Sequence, residues 1–91
     1  MLLREKVCAV AGADDVKDLV MLEKYAKQGC NIAFMNQDKE FGLRLKQEIE
    51  QTYKVRVFFF HGSMESEEDR DLFMGAIEGI YGGVDYLICR N

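Results

Sequence analysis

The chain has 91 residues, 48% hydrophobic and 31% charged, the make-up of one small globular domain with a single core and no disordered stretch. Its net charge of -4 argues against nucleic acid or an anionic membrane as partner. No apolar run approaches the roughly 20 residues that span a bilayer, and Arg4-Glu5-Lys6 stands where a signal peptide has its apolar stretch, so a cytoplasmic protein is expected.

Taken in order, the chain alternates between two hydrophobic periods. Val7 to Ala11 is a short, continuously apolar run, as in a strand covered on both faces. From Asp14 the spacing turns helical, with Val16, Leu19, Val20, Leu22, Tyr25 and Ala26 on the apolar face and Gly29 as the stop. Cys30 to Met35 reads as a second buried strand. Asp38 then caps a second helix whose stripe is Phe41, Leu45 and Ile49. Val55 to Phe60, β-branched and aromatic, is the third strand. Ser66-Glu67-Glu68-Asp69 resembles a capping box, with Asp where Glu is usual. Behind it Leu72, Phe73, Ala76, Ile77 and Ile80 line one side of a third helix, which Gly82-Gly83 stops. Val84 to Cys89 is the fourth strand. The acidic run Glu65 to Asp71 is read as a solvated first turn that complements the helix dipole.

This alternation predicts an α/β fold, βαβαβαβ, with one parallel sheet and right-handed crossovers. The expected strand order is 3-2-1-4, with the first two helices on one face and the third on the other, in three layers. Residues 1–91 form one domain, without linker, repeat or proline. Cys8, Cys30 and Cys89 have no metal-ligand spacing and are read as buried reduced thiols, a reactive Cys89 being the alternative. His61, the one histidine, is read as a solvated turn residue rather than a catalyst.

Val10-Ala11-Gly12-Ala13 resembles the Thr-Gly-x-x-x-Gly-x-Gly turn of the short-chain dehydrogenase/reductase family. Tyr25 to Ala33 resembles that family's first helix end and second strand. Phe58-Phe59-Phe60-His61 resembles its third strand, and Asp85 to Asn91 resembles its Asp-x-Leu-Val-Asn-Asn-Ala-Gly. The resemblance spans nearly the whole chain and implies a Rossmann-like half-domain that binds NAD or NADP. It places the cofactor contacts on Gly12 and Ala13 in the turn, on Asn36 at the ribose, on Ser63 after the third strand, and on Cys89.

The departures are as informative. The family's second and third turn glycines fall on Val16 and Asp18, so the close backbone approach to a pyrophosphate is lost. Asp14 and Asp15 add charge of the wrong sign. A carboxylate about 5 Å from a phosphate at an effective ε near 20 costs roughly 3 kcal/mol, more than a hundredfold in affinity. Lys17 offsets part of this as a flexible point charge. The same aspartates suit a helix that caps itself, so no cofactor is the expectation, with NAD or NADP the alternative. The family's catalytic Tyr and Lys, four residues apart, have no counterpart. Tyr25, Tyr53, Tyr81 and Tyr86 lead to Gly29, Val57, Asp85 and Arg90.

The fourth strand, normally interior in that family, would here be an apolar edge, with Val84, Tyr86 and Ile88 on one face and Leu87 and Cys89 on the other. A homodimer that pairs Val84 to Cys89 antiparallel about a two-fold axis is expected, with the third helices meeting across it. The function expected is that of a non-catalytic half-domain acting through self-association or a protein partner. The alternative is a NAD(P)-binding subunit whose catalytic half lies on another chain.

Overall fold

A computed structural model describes residues 5–11 and 16–89, with Val16, Lys17 and Cys89 as backbone. Strands β1 (Val7–Ala11), β2 (Asn31–Asn36), β3 (Val57–His61) and β4 (Tyr86–Cys89) alternate with helices α1 (Val16–Lys27), α2 (Lys39–Tyr53) and α3 (Glu67–Tyr81). The strands form one sheet in the order β3-β2-β1-β4, and each neighbouring pair is parallel. Every residue of β1 is buried, because both faces of the sheet carry helices.

On one face α1 and α2 bring Leu22, Ala26, Leu45 and Ile49 onto Cys8, Val10, Ile32 and Phe34. On the other, α3 brings Phe73 and Ile77 onto Val7, Ala9, Ala11, Ala33 and Met35. The pleat divides each strand between these two layers, which is why the strands read as continuous apolar runs rather than alternating ones. Both expected helix caps are present. Asp38 accepts the Phe41 N–H at 3.1 Å, and the Ser66 hydroxyl accepts the Asp69 N–H at 3.1 Å. Asp69 does not complete the box by returning to Ser66. Its carboxylate accepts the N–H of Ser63 at 2.9 Å, while the Ser66 N–H is taken by the Ser63 carbonyl.

Three strand starts differ from the sequence reading, and β2 and β3 each run one residue further, to Asn36 and His61. β2 begins at Asn31, one residue later than Cys30. β3 begins at Val57 rather than Val55, because α2 ends on Lys54 in the left-handed region (φ 59°) and the chain needs two residues to turn back. β4 begins at Tyr86 rather than Val84. Gly82 and Gly83 (φ 82° and 149°) end α3, Val84 packs in the α3 layer, and Asp85 joins β1 through its own N–H and its carboxylate, both to Val7. Lys54 is the site of a test. A side chain in the left-handed region costs about 1 kcal/mol that glycine avoids. Lys54→Gly is therefore expected to raise stability by about 0.5–1 kcal/mol in a thermal melt, despite the extra freedom glycine has when unfolded.

Candidate functional site

In parallel α/β sheets, ligands bind beyond the C-terminal ends of the strands. Here those ends carry Ala11, Asn36, His61 and Cys89. Asn36 is opposite His61 in the β2–β3 register, and Ala11 is opposite Cys89 in the β1–β4 register. The turn that follows β1, with Gly12, Ala13, Asp14 and Asp15, lies outside the described residues, as does the side chain of Cys89.

The residues that are described are committed to the scaffold. Asn36 is 6% exposed, and its Oδ1 accepts the Asp38 N–H at 2.7 Å, closing the turn into α2. Its carbonyl accepts the N–H of Gly62 at 3.1 Å. His61 bridges to the same turn, its Nε2 standing 2.9 Å from the Gln37 carbonyl, to which it donates as the Nε2-protonated tautomer. Ser63 uses its N–H on Asp69, its carbonyl on Ser66, and its hydroxyl as acceptor for Glu65 at 3.2 Å. Asn36 and His61 thus both hold the turn between β2 and α2, while Ser63 holds the turn that leads into α3.

Asp18 was not singled out by the sequence reading beyond its alignment with a turn glycine. It is 4% exposed in the first turn of α1, on the same stripe as the buried Leu22 and Ala26. The spacing 18, 22, 26 was the available signal. Val20, expected on the buried face, is instead 60% exposed.

Cys8 and Cys30 are fully buried and reduced, as expected. The Cys30 sulfur beside it and the burial hold the Cys8 thiol well above its usual value, which makes it inert. Tyr81 is also structural. Its hydroxyl donates to the Ile32 carbonyl at 3.2 Å, and burial raises it to about 12. Among the described residues no group of His, Cys, Asp or Glu is placed to hold a metal ion, and no helix is long and apolar enough to cross a membrane.

The open side of the molecule is β4. Its outer edge has no strand partner among the described residues. Tyr86 is 36% exposed and stacks on Tyr25 of α1, with ring centroids 5.4 Å apart. Ile88 packs into the same layer, whereas Leu87 faces the α3 side and is 49% exposed. Val84 does not share a face with Tyr86 and Ile88; it precedes the strand and belongs to the α3 layer.

α3 does not reach over β4. Phe73 meets Phe58 and Phe60 of β3, at 6.3 and 5.8 Å between centroids, and Tyr81 reaches β2. The helix therefore packs across β1, β2 and β3.

No protein-family model matches the chain, and no curated protein matches it. Solved structures do. A xylitol dehydrogenase with NAD+ bound superposes with a TM-score of 0.88 at 22% identity, over 96% of this chain and 33% of that one. The L-sorbose reductase of Gluconobacter frateurii, in complex with NADPH and L-sorbose, gives 0.89 at 21%, over 93% and 32%. A short chain dehydrogenase from Bacillus anthracis gives 0.84 at 23%, over 97% and 35%. The chain spans about a third of the length of these enzymes. It shares their fold, the Rossmann-like half-domain of the short-chain dehydrogenase/reductase enzymes.

Proposed function

We propose that this chain is a non-catalytic, short-chain-dehydrogenase-like half-domain of the cytoplasm that works by association, its β4 edge pairing with that of a second copy. One observation carries the reading: among the described residues, β4 presents an unpaired edge bearing Tyr86 and Leu87, 36% and 49% exposed. Such an edge is a template for another strand. Two identical edges satisfy each other when they run antiparallel about a two-fold axis, giving an eight-stranded sheet of order 3-2-1-4-4′-1′-2′-3′.

The runner-up is a NAD(P)-binding subunit completed by another chain, favoured by solved neighbours that hold NAD+ or NADPH. The residues that would carry the cofactor speak for the first reading. The Asn36 Oδ1 and both the N–H and hydroxyl of Ser63 are taken up by turns. Calorimetric titration separates the two. The association reading expects no saturable heat with NAD, NADH, NADP or NADPH, and micromolar binding of any of them would replace it with the runner-up. Tyr86→Lys tests the edge itself. It sets a positive charge on each strand at the pairing line and is expected to return a dimer to a folded monomer, which melts a few degrees lower because the contact with Tyr25 is lost.

A further inference from the structure

The α3 helix carries two apolar rows, and only one of them faces the sheet. Phe73, Ile77 and Tyr81, at successive fourth positions, turn from β3 towards β2. The next row round the helix, Leu72, Ala76 and Ile80, therefore continues past β3, on the side of the molecule away from β4. Leu72 is 53% exposed and Ile80 50%. Beside this row run Gly75 and Gly79, where an added Cβ would meet nothing within 4 Å. Below it lie the half-buried rings of Phe58 and Phe60. The result is a strip of apolar surface a little over two turns long, with two missing side chains that let another backbone approach closely.

We propose that this flank of α3 is a docking site for an amphipathic helix of a partner protein, one with a small, apolar stripe and Lys or Arg in its last turn. Charge selects that occupant. Both rows start from a carboxylate, Glu68 four residues before Leu72 and Asp71 four before Gly75, and both acids are exposed. The last turn of α3 has no basic residue. A helix lying antiparallel to α3 sets its C-terminal turn against Glu68 and Asp71, where basic side chains meet both those acids and their own helix dipole. A second copy offers no such match, since the one basic residue of its α3, Arg70, lies near the start of the helix and donates to the Met64 carbonyl, and its last turn has none. The site uses a different surface from the β4 edge, so either can fail without the other.

The test is fluorescence anisotropy with a labelled synthetic peptide of about four helical turns, Leu and Ala on one stripe and Lys in its last turn. Saturable micromolar binding is expected. Leu72→Ser should weaken it about tenfold, and the Glu68→Lys, Asp71→Lys double variant should transfer the preference to a peptide with Glu in place of Lys. Tyr86→Lys should bind as the parent does, which keeps this result separate from the β4 pairing. All the altered residues are exposed, and unchanged circular dichroism confirms that the variants fold. Absence of saturation overturns the proposal, as does equal binding by the Leu72→Ser variant. Self-association that Leu72→Ser abolishes would assign the flank to a second copy and overturn it too.

Discussion

Gly42→Ala is expected to destabilise the protein, although the same exchange in an exposed helix stabilises it. Gly42 lies buried in α2, and a Cβ there would stand 2.1 to 2.6 Å from three atoms of the Phe59 ring. That ring stacks on the fully buried Phe34 with centroids 5.1 Å apart, so it cannot give way without losing the contact. Overpacking of this kind costs about 1–3 kcal/mol or more, which exceeds the roughly 1 kcal/mol that alanine gains in helix propensity. For a domain of this size each kcal/mol moves the melting temperature by about 4–8 °C. Gly79→Ala is the control: with nothing near its Cβ, it should melt a few degrees higher. Opposite signs at the two positions are the expected result. A stabilised Gly42→Ala variant would mean that α2 does not sit this close to β3.

Phe73→Ala is expected to cost about 3–5 kcal/mol, the range for a fully buried aromatic truncated to alanine. Phe73 is the main anchor of α3, with no exposed surface and rings of β3 on two sides. A domain of this kind has only about 5–15 kcal/mol in total, so the variant should be marginal at room temperature. Leu72→Ala, one residue away and 53% exposed, should change stability by no more than about 0.5 kcal/mol. Urea titration of both variants checks the contrast. Equal losses would mean that both rows of α3 are buried, contrary to the packing described.

That pair of leucine and phenylalanine also marks where sequence reading reached its limit. Period and spacing revealed the seven elements, their order and the parallel sheet, because strands covered on both faces and amphipathic helices leave different periods in a chain. Both caps were legible from Asp38 and Ser66. Which of two neighbouring apolar rows on α3 turns inward was not, because Leu72, Ala76 and Ile80 repeat at the same interval as Phe73, Ile77 and Tyr81. The large rings of Phe58 and Phe60 decide it, and they are contributed by a distant strand. The burial of Asp18 was not read from the sequence, although its spacing from Leu22 and Ala26 puts it on the inner stripe. At the candidate site the positions were legible and their duties were not. Asn36 and Ser63 fall where the resemblance put them, at the strand ends, but their hydrogen bonds go to the turns around them.

The central claim is that the β4 edge is completed by another copy of the chain. Sedimentation equilibrium over a range of micromolar concentrations tests it most directly. The account predicts a species of twice the chain mass of 10.5 kDa, dissociating on dilution. A mass of 10.5 kDa at every concentration would contradict it.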